Sequence, residues 1–222
     1  MTDAFYTDAQ RAVQDTHDSR PLADTLEFAI VSDTIPDEHG EFIASRDFFF
    51  LSTANAAGEP TVSHKGGGVG VVRVLDSKTL AFPAYDGNGM FLSMGNITDT
   101  AKIGLLFIDF ETPHRVRVQA TASYTSDLDA VPDLAAVWPG AIGVVQATVD
   151  SVFVNCARYI HPHTREAASR HVPADDGSQP HATWKRIDLL QDALSDEDRA
   201  RTEQEGAISM EDYAERLSAG ES

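Results

Sequence analysis

Residues Thr61 to Leu75 read TVSHKGGGVGVVRVL: a lysine, three consecutive glycines, a fourth glycine at position 70, then a β-branched run. Glycines beside a cation often cradle phosphate, so the residues after them decide the fold. A dinucleotide-binding loop starting at Gly66 needs glycine at position 71 and must open a helix. Position 71 is valine, and VVRVL reads as a strand. A P-loop places its lysine after the glycines, whereas Lys65 precedes them. Both nucleotide loops of parallel α/β folds are therefore excluded.

The segments on either side are also short strands. DFFFLSTAN from Asp47 is aromatic and β-branched, and AAGEP after it is a turn leading into PTVSHK. GVVRVL and TLAFPA are separated by the turn DSK; AKIGLLFIDF, HRVRVQATASY and the long AIGVVQATVDSVFVN come next. Six or seven short strands on tight turns predict an antiparallel barrel with α extensions. Helical interruptions are predicted around Met90 to Thr98 and Asp127 to Gly140. The chain reads as a single domain with three parts: a helical segment over 1–46, a barrel core over 47–155, and a loop with acidic helices over 156–222. In the first part Leu22, Leu26 and Ile30 recur at i, i+4, i+8, predicting a helix packed on something larger, with Phe42 and Ile43 facing inward from a second helix.

Alternation along TVSHK puts Thr61, Ser63 and Lys65 on one face and Val62 and His64 on the other. A hydroxyl beside an ammonium suits a phosphate or a flavin carbonyl, and glycines beyond would admit a flat ring; an ordinary bulged hairpin with a surface lysine is the other reading. In PAYDGNGMFLSMGN, a turn at Asp86-Gly87-Asn88-Gly89 opens a helix whose first N–H groups attract anions, with Ser93 and Asn96 at i, i+3. An ordinary turn and cap would give the same pattern. HRVRVQA puts Arg115 and Arg117 on one strand face, fit for an anion or for surplus surface carboxylates. His161 and His163 form an H-x-H pair with no carboxylate or thiolate at metal-site spacing, so a polar loop is expected and no metal. Cys156 reads as a buried small hydrophobe.

Seventeen Lys+Arg against 35 Asp+Glu give a net charge of −18. Such a field repels nucleic acid and anionic membrane surfaces. No run approaches the roughly 18 apolar residues of a membrane span. A single cysteine rules out an intrachain disulfide, and the N-terminus has no apolar signal region, so a cytoplasmic protein is expected.

RAVQDTHDSRPLADTL, the block from FFFLSTAN through GNGMFLSMGNI, IGLLFIDFETPHRVRVQATA, VFVNCARYIH and TWKR, together spanning Arg11 to Arg186, resemble the pyridoxamine 5'-phosphate oxidase-like, FMN-binding split-barrel family, in its flavin-nucleotide-binding branch. The resemblance implies a six-stranded antiparallel split barrel that forms a homodimer, with FMN at each subunit interface and a small-molecule substrate. It implies that Ser63 and Lys65 reach the flavin, that Phe82 and Pro83 line the ring, and that Gly87, Asn88 and Ser93 lie near the phosphate. Arg115, where the oxidases carry glutamine, would approach from the neighbouring strand with Arg117 beside it. Trp184 and Arg186 would close the site from the other subunit. Two departures stand out: Asn88-Gly89-Met90 replaces the oxidases' basic pair, and no Arg-x-His occurs to hold pyridoxal phosphate. The expected activity is therefore an FMN-dependent oxidoreductase, not vitamin B6 oxidation. A non-catalytic flavin-binding or sensing protein, and a barrel holding deazaflavin or haem, are the alternatives.

Overall fold

The computed structural model describes residues 4–220. The chain divides into two compact units, the first ending at Ala167 and the second beginning at Ala168.

Three helices open the first unit: α1 (Asp8–Thr16), α2 (Arg20–Ile30) and α3 (Asp37–Ala44). Thr7 and Gln10 close a capping box on α1, so its first N–H groups are satisfied locally. Proline at the start of α2 fits the first turn, where no N–H partner is needed. From α3, Ile43 is fully buried and Phe42 packs against the core. The helix expected through Leu22, Leu26 and Ile30 is present as α2, but it buries no residue fully: Leu22 and Leu26 are exposed and Ile30 is half-buried, so most of its apolar spacing is left uncovered by the described residues.

Seven strands among the described residues come after the helices: β1 (Phe48–Ala54), β2 (Pro60–Gly66), β3 (Arg73–Asp76), β4 (Thr79–Tyr85), β5 (Lys102–Asp109), β6 (His114–Thr125) and β7 (Ala141–Val154). They form one antiparallel sheet in the order β2-β1-β5-β6-β7-β4-β3. The mainly β, antiparallel class holds. The six-stranded count does not: the four-residue β3 adds a seventh strand to the free edge of β4, and the sheet is not closed by pairing between its end strands. Val71 and Val72, read with that strand, lie before it and are buried in the core instead.

Alternation sorts the side chains. Phe49, Leu51, Leu80, Phe82, Leu105, Phe107, Val116 and Val118 meet in one apolar core, built around the Phe49–Phe82 and Phe49–Phe107 ring contacts at 5.1 and 5.6 Å. A core of this kind supplies most of a domain's folding energy. Helix α4 (Leu92–Thr100) contacts β1, β2 and β6. A 3-10 turn at Leu128–Ala130 and the short α5 (Pro132–Ala135) place Trp138 over Ala81 and Val144 as a smaller second cluster.

The second unit contains 3-10 turns at Thr183–Arg186 and Asp188–Ala193, then α6 (Asp196–Glu205) and α7 (Met210–Ser218). Polar contacts dominate its interior: Lys185 Nζ donates to both carboxylate oxygens of Asp198 at 3.0 Å, and the buried His181 lies beside the same carboxylate. No described helix is long and apolar enough to cross a membrane.

Candidate functional site

The register of β1 and β2 fixes which side chains share a face. Phe49 pairs with Lys65, Leu51 with Ser63 and Thr53 with Thr61. Phe49 and Leu51 are fully buried, so Thr61, Ser63 and Lys65 point toward the interior side of the sheet. Strand β2 is an edge strand, and its inner face is polar where that of β1 is almost wholly apolar.

Helix α4 lies over this polar edge. Ser63 Oγ and Ser93 Oγ are hydrogen-bonded at 3.1 Å. One turn on, Asn96 Nδ2 donates to Thr53 Oγ1 at 3.0 Å and to Thr61 Oγ1 at 3.4 Å, and the two threonine hydroxyls are 2.9 Å apart. The contacts run in opposite order along helix and strand: Thr61 meets residue 96, Ser63 meets residue 93. Lys65 is the next inner-facing residue along β2, so it continues toward the N-terminal end of α4. That end carries no side-chain cap, and the chain enters it through Phe91 at φ +49, a conformation rare for a residue with a side chain. The Asp86–Gly89 turn comes just before, with Asn88 Oδ1 accepting from the Met90 N–H at 3.1 Å and open space around Gly87.

Lys65 is half-buried, and burial holds its ammonium below the ordinary lysine range. Among the described residues it has no hydrogen-bond or ion-pair partner. A partly desolvated cation without a partner among the described residues is open to an anion from outside, although the net charge of −18 opposes its approach. Of the three glycines after it, Gly67 is required by the chain itself: a Cβ there would stand 2.7 Å from Val71 Cγ2 and 3.5 Å from the Tyr85 ring. Gly68 faces open space.

The remaining candidates fall elsewhere. The Phe82 side chain is fully buried in the core and cannot line a ligand; only its backbone remains for that. Pro83, next along β4, is also buried. Arg115 and Arg117 lie on the opposite face of the sheet from Ser63 and Lys65. Pairing runs His64–Phe50–Leu106–Arg117–Phe153 across the outer face, and Ser63–Leu51–Leu105–Val118–Val152 across the inner one. Arg115 donates from Nη2 to the Cys156 carbonyl at 2.7 Å, and Arg117 is exposed without a partner among the described residues. Trp184 and Arg186 belong to the second unit, where Arg186 donates to the carbonyls of Gly206 and Glu205, each at 2.8 Å.

The outer face is aromatic. His64, Phe48, Phe110 and His163 form a run of stacked rings with centroids 5.4, 6.1 and 5.1 Å apart. His163 is thus occupied in packing, and no group of three or more metal-ligating side chains occurs among the described residues. Cys156 is exposed, contrary to the sequence reading; the Arg158 backbone N–H and guanidinium hold its thiol below the usual range. The inner-facing Thr53 went unrecognised in the sequence. Its signal was one hydroxyl interrupting the apolar inner positions of FFFLSTA.

A search of curated proteins found no match. Among solved structures, a candidate pyridoxamine 5'-phosphate oxidase from Lactobacillus delbrueckii is 25% identical, aligning 55% of this chain with 95% of that one at a TM-score of 0.46. An FMN-binding protein from Syntrophomonas wolfei is 11% identical over 65% and 97% of the two chains, TM-score 0.42. The haem storage protein HutZ from Vibrio cholerae is 18% identical over 54% and 94%, TM-score 0.39. The model of the pyridoxamine 5'-phosphate oxidase family matches residues 35–156, more than half of the chain and the whole of the seven-stranded sheet, and on that match this protein belongs to the pyridoxamine 5'-phosphate oxidase family.

Proposed function

We propose that this protein binds FMN at the polar edge formed by β2 and α4 and serves as an oxidoreductase for a small-molecule hydride donor. Bound FMN would supply hydride exchange at its N5; the chain's residues bind and orient it. The observation that carries the reading is Lys65, half-buried and unpaired beside the Ser63–Ser93 pair. The donor set fits the group: an ammonium, two hydroxyls and an uncapped helix N-terminus together favour a phosphate or an electron-rich carbonyl. Family membership points the same way. Gly87 and Asn88 would border the phosphate, and the backbone of Phe82 and Pro83 the ring.

The two arginines require a second chain in this reading. One sheet cannot turn Lys65 and Arg117 toward the same ligand when they lie on opposite faces. A homodimer in which the partner's outer face meets the β2 edge addresses this, because Arg115 and Arg117 of the partner subunit would then stand beside the polar edge. Exposed Val62, together with Phe48 and Phe50, supplies apolar area for such an interface. Trp184 and Arg186 of the partner subunit would close the site.

The test is FMN titration monitored by flavin fluorescence, with riboflavin as the phosphate-free comparison. FMN binding at one per chain, with riboflavin much weaker, is expected; equal affinity for both would remove the phosphate from the site. Mixing Lys65→Ala with Arg117→Ala chains should restore one intact site per heterodimer, about one per four chains in a randomly exchanged equimolar mixture, if the arginines act across the dimer. Bleaching by a nicotinamide donor separates an oxidoreductase from a flavin-binding or sensing protein without turnover. A Soret band on haem addition, or retention of a deazaflavin in place of FMN, would replace the cofactor assignment.

A further inference from the structure

The rungs between α4 and the first two strands are polar where an apolar filling was available. Position 53 continues the inner row of Phe49 and Leu51, yet it is a buried threonine, and Asn96 facing it is a buried amide. Taking an amide out of water is unfavourable unless its bonds are remade, and apolar residues of similar size avoid that cost altogether. What apolar surfaces lack is direction. A hydrogen bond from Asn96 Nδ2 to Thr53 and Thr61 holds only in one register of helix against strand. Sliding α4 by one turn would also part Ser93 from Ser63.

Resting on the FMN reading above, we propose that Asn96 is a positioning residue: through Thr53 and Thr61 it locks α4 in register with β2, so that Ser93 and the helix N-terminus stand ready beside Ser63 and Lys65 for the ligand phosphate. Asn96 itself does not touch the ligand. Its work is to hold those groups in place before the ligand arrives, which spares the cost of ordering them on binding.

Asn96→Leu tests this, because Thr53 and Thr61 still satisfy each other at 2.9 Å when the amide is gone. Four quantities are measured: FMN affinity, visible-region circular dichroism of the FMN-saturated protein, thermal unfolding of the FMN-free protein, and amide hydrogen exchange along α4. The expected result is an unchanged or higher melting temperature, FMN affinity lower by about tenfold, altered flavin dichroism and faster exchange of the hydrogen-bonded amides of α4 from Gly95 onward. Thr98→Ala, on the exposed side of the same helix, should leave all four at wild-type values. If Asn96→Leu does not fold, Thr53→Val is judged by the same four measurements. Wild-type affinity and dichroism in the substituted protein would overturn the positioning role while leaving the FMN reading intact. Failure of the wild type itself to hold FMN would remove both.

Discussion

Strands β1 and β2 pair residue for residue, yet their inner faces have opposite chemistry. On β1 that face is Phe49, Leu51 and Thr53; on β2 it is Thr61, Ser63 and Lys65. The first row is buried in the core and the second is half-buried at the sheet edge. The contrast separates the part of the sheet that holds the fold together from the part available for binding. An edge strand has only one neighbour, so its inner row can leave the core without opening it.

Disrupting the apolar row should have the largest effect. Leu51→Ala is expected to cost about 2–5 kcal/mol of stability, measured by denaturant unfolding, because a fully buried side chain leaves a cavity. Its FMN affinity, measured where the protein is still folded, should change little.

Disrupting the polar row should do the reverse. Lys65→Ala is expected to weaken FMN by about tenfold to a hundredfold, the range for a hydrogen bond to a charged group, while stability holds or rises slightly. Removing an unpaired, half-buried charge relieves a desolvation cost. A loss of stability comparable with that of Leu51→Ala would contradict the division of labour between the strands.

The same lysine gives a pH dependence. Burial lowers its pKa in the folded protein, so the charged form is disfavoured there relative to the unfolded chain. The stability penalty is therefore present below the folded pKa and is relieved as pH rises through that value toward the ordinary lysine range. FMN binding needs the charged form, so affinity should fall over that same alkaline window. In Lys65→Ala the fall attributable to this group should disappear, which titrations across the window would show.

Ser63→Ala should give the smallest change. Losing one neutral hydroxyl contact is worth about 0.5–1.5 kcal/mol, or a few-fold in FMN affinity, and Ser93 would be left with one fewer partner.

Much of the architecture was legible in the sequence because period-two alternation survives in β1, β2 and most of β6. The polar row of β2 was read correctly as a row for the same reason. What alternation cannot supply is which row of one strand shares a face with which row of another. The arginines of β6 therefore looked like neighbours of Lys65, and only the pairing through β1 and β5 puts them on the far side. Helical spacing had a similar limit in α2: Leu22 and Leu26 mark a face, but not whether the same chain covers it. Cys156 looked buried because it was read at the end of a long strand, whereas β7 stops at Val154 and the cysteine is exposed. The bond between Ser63 and Ser93 spans thirty residues, and no local pattern announces it.

Flavin binding at the polar edge stands or falls on the visible absorption spectrum of the purified protein after FMN has been added and free ligand removed. A retained flavin spectrum at about one per chain is the expected result. A colourless protein that releases all added FMN would contradict the assignment of the polar edge as a flavin site.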